Sequence, residues 1–227
     1  MSAVANQELI QKLIDNNVHI GSLKKFSHPK TRSYQLGVQN GITVINPEII
    51  AEQLENAKQR VQLALSESKE ILIVCEKSVF ADQIKSLAEK FNCSYFNYNV
   101  PSGVLTNFDT LMNRIKTMNT LKKFIESEEF EKITKKEQLT KKRELKKVQR
   151  IYEGVQNLKK IPDLVLVIDG KSMFKLVREV DKMKKESIVL SSTDFNQFWS
   201  EDDLVIANVN NYYSLLFVCN YIFGITQ

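Results

Sequence analysis

Five short, largely apolar segments recur along the chain, separated by stretches with helical spacing, and this alternation most constrains the fold. They are Ile71–Cys75, Ser94–Tyr98, Leu164–Ile168, Ile188–Ser191 and Leu204–Ala207. A strand without polar alternation must bury both faces, and a parallel neighbour is reached only by a long crossover. The intervening stretches supply those crossovers. Pro47 opens a long helix with Ile50, Leu54, Ala57, Val61 and Leu65 on one face. Proline at a first helical position loses no hydrogen bond. Phe80–Phe91, Ser172–Met183 and a stretch from Tyr212 to about Phe223 read as further helices. The pattern predicts a three-layer α/β/α domain with about five parallel strands. Hydrophobic residues form 43% of the 227, enough for a core of that size.

The rhythm is broken once, between Thr106 and Lys160. This stretch holds 15 Lys and Arg against seven Glu and Asp109, a net charge of +7, while the rest of the chain sums to −2. Phe108, Leu111, Ile115, Met118, Leu121 and Ile125 follow a Thr106–Asp109 capping pattern at 3–4 spacing. After a Glu-rich tip at Glu126–Glu131, Thr134 and Glu137 form a capping box. Leu145, Val148, Tyr152, Val155 and Leu158 then give a second seam. Two helices of similar length joined by a short turn should pair antiparallel as a coiled-coil arm. The division expected is a globular domain over 1–105 and 161–227 with an inserted arm over 106–160. Lys135, Lys136, Lys141, Lys142, Arg143, Lys146, Lys147 and Arg150 populate the solvent side of the second helix. Such a helix can be no more than a solvated face. The excess here is net rather than matched by i,i+4 glutamates, which suits a polyanionic partner.

The N-terminal part, 17–46, reads as an extension and a β-hairpin. Gln7–Asn16 forms a short amphipathic helix. From Asn16 to Pro47 there is no acidic residue, while Lys24, Lys25, Lys30 and Arg32 cluster around Phe26, His28 and Pro29. Ser33–Leu36 and Ile42–Ile45 read as short strands, and Asn40-Gly41 between them favours a tight turn. Phe26 either stacks on an unpaired base or plugs the sheet edge. His19 and His28, nine apart without Cys or carboxylate nearby, make a poor metal site but can donate to phosphate.

Other chemistry is sparse. Asp169-Gly170-Lys171-Ser172 resembles the end of a phosphate-binding loop, but Val165 stands where the loop needs its first glycine. A plain strand-to-helix turn capped by Ser172 is the alternative. No nucleophile elbow or Cys/His pairing is present. Asp202-Asp203 could hold a divalent ion, though a lone acidic pair is usually solvated. Neither a metal nor a cofactor is expected. Cys75, Cys93 and Cys219 are isolated and form no CxxC pair, which suggests a reducing compartment. Met1–Lys12 contains no apolar run, so no secretory signal is expected. No stretch approaches the ~20 apolar residues of a membrane span.

An ordered set of segments resembles a known family. Val18-His19-Ile20-Gly21 with the basic stretch through His28-Pro29-Lys30 is similar to the N-terminal signature of bacterial-type small-subunit ribosomal protein two. Asn40–Asn46 is similar to its hairpin, Gly103-Val104-Leu105-Thr106-Asn107-Phe108 to its glycine turn, and Phe130–Glu137 with Lys142–Leu145 to its arm. The likeness spans about Leu9 to Phe223. Some positions depart from the family pattern. Ser22 stands for a His and Phe26 for a Trp, and Val100-Pro101-Ser102-Gly103 replaces Trp-Leu-Gly-Gly. Thr193–Asn196 keeps part of an Asp-Thr-Asn segment without its Cys or Pro, and Ala207–Asn210 stands where the family has a Pro-Gly-Asn-Asp turn.

The resemblance implies a flavodoxin-like sheet with a protruding helical hairpin. It also implies a non-enzymatic constituent of the small ribosomal subunit that binds rRNA at the head–body junction and supports translation. Neighbouring small-subunit proteins, including the large mRNA-binding one, are implied partners, with no membrane and no homo-oligomer. The expected location is the cytoplasmic ribosome, with an organellar ribosome as the alternative. The residues expected to meet RNA are His19, Gly21, Lys24, Lys25, Phe26, His28, Lys30 and Arg32, with Asn40 at the hairpin. Gly103, Thr106 and Asn107 follow at the turn, and the eight arm cations complete the set. An α/β nucleotide-binding enzyme and a coiled-coil adaptor are the rival readings.

Overall fold

The computed structural model describes residues 3–196 and 203–225. Its centre is a five-stranded parallel sheet made of β4 (Ile71–Val74), β5 (Ser94–Phe96), β6 (Leu164–Ile168), β7 (Glu186–Ser191) and β8 (Leu204–Ile206), ordered β5-β4-β6-β7-β8. Every residue of β4, β5, β6 and β8 is buried. Strands without polar alternation are therefore covered on both faces, as their composition requires. The covering helices of this domain are α1 (Ala3–Asp15), α2 (Pro47–Ser66), α3 (Ala81–Phe91), α7 (Phe174–Met183) and α8 (Tyr212–Ile222). Asn46 caps α2 by accepting from the Glu48 amide at 3.0 Å, and Pro47 follows as the first helical residue. Helix α7 begins two residues later than expected, at Phe174, so Ser172 is not its cap. Instead the Ser172 hydroxyl donates to Asp169 Oδ2 at 2.9 Å.

The N-terminal segment forms a second sheet of three antiparallel strands, β1 (Ile20–Leu23), β2 (Gln35–Gln39) and β3 (Ile42–Ile45), ordered β1-β3-β2. A hairpin of two strands was expected, with the first over Ser33–Leu36. The strand starts later because 29–34 is a 3₁₀ turn held by His28, whose Nδ1 accepts from the Lys30 amide. It ends later because the loop has only two residues. Asn40 (φ 49°) and Gly41 (φ 79°) both take the left-handed region, which places Gln39 opposite Ile42.

The arm interrupts the connection from β5 to β6, where the chain crosses from one side of β4 to the other. Helix α4 (Phe108–Ile125) and helix α6 (Lys135–Tyr152) pack along each other, with the short α5 (Glu128–Lys132) at the tip. Phe130 is buried there and meets Phe124 edge-to-face at 6.0 Å. The Thr134/Glu137 capping box is formed. The Thr106–Asp109 cap is not: α4 starts at Phe108 after Asn107, without a side-chain cap bond. Val155 and Leu158 do not extend the seam. Helix α6 ends at Tyr152, and both residues are buried in the core of the main domain. Gly154 lets the chain pass this point, since a Cβ there would lie 2.3 Å from the Tyr95 carbonyl oxygen.

Candidate nucleic-acid interface

The basic N-terminal segment is held by one buried threonine at the carboxyl end of β7. Thr193 Oγ1 accepts from the Ser22 amide at 2.9 Å and lies 2.9 Å from the Thr43 hydroxyl. Its carbonyl accepts from the His28 amide at 2.8 Å and the Thr31 hydroxyl at 2.9 Å. Gln35 Nε2 donates to Ser27 and Thr31, tying the turn to β2. Gly21 belongs to this joint by its size, because a Cβ there would lie 2.3 Å from Thr43 Oγ1 and 2.8 Å from Thr193 Cγ2. The Ser22 hydroxyl lies 3.0 Å from that of Ser192.

The joint leaves Lys24, Lys25, Lys30 and Arg32 exposed on the turns that follow β1. Phe26 is 58% exposed with the Lys25 ammonium 4.8 Å from its ring centre, so it plugs no sheet edge. Asn40 is exposed at the hairpin tip. The histidines are less open. His28 is half-buried and engages the Lys30 amide. His19 has an enclosed Nδ1 without a hydrogen-bond partner among the described residues.

A carboxylate sets the turn before the arm. Glu179 of α7 accepts from the Gly103 amide at 2.6 Å and the Leu105 amide at 3.1 Å. Gly103 takes φ 85°, and its carbonyl accepts from the Asn107 amide at 2.8 Å. Thr106 and Asn107 are exposed beside it.

On α6 the charges are sorted. Gln138, Lys141, Leu145, Val148 and Tyr152 are half-buried and mark the face turned towards α4. Successive residues advance about 100° around the axis. Lys135, Lys136, Lys142, Arg143, Lys146, Lys147 and Arg150 then fall within an arc of about 140° on the side away from α4. Glu137 and Glu144 lie on the other flank. The cations form a stripe about 22 Å long from 135 to 150, rather than a helix laced with alternating charge. Three of the eight arm cations have partners among the described residues. Lys141 pairs with Glu144 at 3.1 Å, Lys142 lies 5.5 Å over the Phe130 ring, and the Arg150 guanidinium stacks 3.5 Å from the Tyr98 ring centre.

The polar groups of the turn that resembles a phosphate loop are engaged by side chains from neighbouring loops. Lys77 bridges Asp169 at 2.9 Å and donates to Asn210 at 3.0 Å, and Lys171 pairs with Asp194 at 2.6 Å. Gly170 serves packing, as a Cβ would lie 2.4 Å from Val189 Cγ1. Of the acidic pair, Asp202 lies outside the described residues, and Asp203 pairs with Arg60 at 2.9 Å. Burial pushes the thiol of Cys75 up to about 11 and that of Cys93 up to about 12, so both stay protonated at neutral pH. Near the root of the arm, a hydrogen bond from Lys160 at 2.7 Å holds the Asp163 carboxyl below its ordinary range, and Asp163 accepts from the Glu70 amide.

Thr193, Glu179 and Tyr98 position these surfaces, and none of them was read as a site residue in the sequence. For Thr193 and Glu179 the hydrogen-bond partners lie 74 to 171 residues away, beyond the reach of any local pattern.

The comparisons with known proteins agree with one another. A family model described as ribosomal protein S2 matches residues 13–224. The "small ribosomal subunit protein uS2" of Coprothermobacter proteolyticus is 31% identical over 185 residues, covering 82% of this chain and 69% of that one. The "small ribosomal subunit protein uS2c" of Mesostigma viride is also 31% identical, covering 82% and 81%. The Thermus thermophilus uS2 protein is 32% identical over 196 residues, covering 86% and 75%.

Proposed function

The chain belongs to the ribosomal protein S2 family, and from that premise we infer that it is a structural, non-enzymatic constituent of the small ribosomal subunit. It binds rRNA and neighbouring ribosomal proteins and so supports translation. The observation that carries the RNA-binding part is the sorted charge, with an acid-free segment over 16–47 on one side of the molecule's chemistry and the cationic flank of α6 on the other. Phosphate contacts of this kind supply affinity and orientation, while shape supplies position.

In finer terms, the globular domain over 1–105 and 161–227 sits at the head–body junction. It contacts rRNA through Lys24, Lys25, Lys30 and Arg32, the hairpin at Asn40 and the turn at Gly103–Asn107. The arm over 106–160 turns its cationic flank to RNA and leaves the Glu137/Glu144 flank to a protein neighbour, the large mRNA-binding protein where one is present. The chain acts as a single copy on a ribosome of the cytoplasm or of an organelle. Among the described residues no helix is long and apolar enough to cross a membrane.

Two measurements test this. In a sedimented lysate the chain should travel with the small subunit, and its presence only in the soluble fractions would refute the assignment. Affinity for a small-subunit rRNA fragment should fall steeply with salt, because each neutralised phosphate releases counterions. A flat dependence from low to moderate salt would remove the electrostatic mechanism.

A further inference from the structure

The outer face of the small sheet carries an open apolar patch with Gln39 at its edge, opposite Ile42, and no role assigned so far uses the side chains of Leu23 and Ile42. Thr43 points inward to Thr193, so its neighbours Ile42 and Val44 point outward. Leu23 lies opposite Ile42 on that face, and Ile20 lies opposite Val44. Leu23 is 43% exposed and Ile42 37%. Gly37, also opposite Val44, has nothing within 4 Å of where a Cβ would stand, so the floor there is bare. The chain leaves this face directly into the basic turn. The Lys24 amide donates to the Gly41 carbonyl at 2.9 Å, and Lys25 and the exposed Phe26 follow.

We propose that this face is a platform for unpaired nucleotides of RNA, with base faces against Leu23, Ile42 and Phe26 and the backbone alongside Lys24 and Lys25. The proposal rests on the RNA-binding reading above and names the form of RNA taken at this surface. An A-form duplex hides its base faces and offers phosphate and 2′-hydroxyls, for which a flat aliphatic floor has no use. Unstacked bases need such a floor with cations at its rim. A protein partner fits less well, because protein interfaces are depleted in lysine and this rim carries lysine with no acidic residue between 16 and 47.

The test uses the full chain and three labelled probes: a ten-nucleotide single-stranded RNA, an abasic strand of the same length, and a blunt RNA duplex. The single strand should bind about tenfold tighter than the abasic strand. The double variant Phe26→Ala/Ile42→Thr keeps every cation. It should lose about tenfold on the single strand, with an unchanged salt slope and unchanged duplex binding. An unaltered melting curve shows that the variant is folded. Phe26→Ala alone, on an exposed side chain, provides a second variant if the pair unfolds. Equal binding of the single and abasic strands would overturn the platform while leaving the RNA-binding reading intact. Failure of all three probes would overturn both. If the double variant instead weakened retention on RNA-free small-subunit proteins, the surface would belong to a protein neighbour and the proposal would fall.

Discussion

The segment 16–47 and helix α6 both display lysine and arginine to solvent, yet they are positioned by opposite means. The N-terminal segment puts its cations on the irregular turns between β1 and β2, and those turns are fixed by polar contacts that converge on Thr193. Helix α6 has no buried residue; its own periodicity places the charges, and the arm is fastened at its root by apolar packing. Leu111 and Ile115 of α4 and Val155 and Leu158 after α6 all join the core of the main domain. A hydrogen-bonded joint specifies direction at small net gain in stability, since each bond replaces one to water. Apolar burial stabilises more but specifies direction less. The turns therefore offer fixed points, and the arm offers a stripe.

The largest expected effect separates these fastenings. Leu158 is 1% exposed. Leu158→Ala should cost about 2–5 kcal/mol, lowering the melting temperature by on the order of 10 °C for a chain of this size. A change below about 2 °C would mean that the root of the arm is not part of the core. At the polar joint, Gly21→Ala forces a Cβ into Thr43 and Thr193 and should cost about 1–3 kcal/mol. Thr193→Val leaves the Ser22 amide without its acceptor, while the Thr43 hydroxyl keeps its bond to the Ser22 carbonyl, at a similar cost of about 1–3 kcal/mol. Hydrogen exchange should localise the damage. Amides of 19–35 should exchange faster while those of α4 and α6 are unchanged. Uniform acceleration would break the contrast between joint and root.

How much of this was legible follows from the range of the interactions. The five sheet strands were legible because continuous apolar runs mark burial on both faces, and β6 was placed at Leu164–Ile168 as observed. The arm was legible from a 3–4 rhythm and a capping box, both local signals. The third strand of the small sheet was missed because β1 carries Gly21, Ser22 and a register shift, which leave no alternation to read. Helix α6 was read too long. Val155 and Leu158 continue its spacing numerically, but Gly154 must pass against the Tyr95 carbonyl, and the chain turns into the core. The candidate cations were legible as a list and not as a surface. Which of the arm cations already have partners depends on Tyr98, Phe130 and Glu144, and Tyr98 lies outside the arm, just past β5.

A smaller effect probes the angle of the arm. Tyr98 sits past β5, and the Arg150 guanidinium stacks on it at 3.5 Å. Tyr98→Ala should cost about 0.5–2 kcal/mol, and Tyr98→Phe, which keeps the ring, should restore most of it. If the stack orients the arm, the alanine variant should also increase the exchange rates of amides near Arg150. Equal behaviour of the two variants would reduce the stack to an accident of the surface.

The smallest effects test the two flanks of α6 against each other. Lys147 stands on the cationic flank, while Lys141 stands near the seam with Glu144 at 3.1 Å. Neither substitution to glutamine should move stability by more than about 0.5 kcal/mol, since exposed pairs contribute little. RNA binding should separate them. Lys147→Gln should weaken an rRNA fragment several-fold at moderate salt and lower the slope of log K against log salt by about 0.9, the loss of one phosphate contact. Lys141→Gln should leave both almost unchanged, because its charge is already compensated and faces away from the stripe. If the two variants lost affinity equally, the arm would act as a diffuse positive field. If only Lys141→Gln lost affinity, the RNA would lie on the flank assigned here to protein, and the orientation of the arm would have to be reversed.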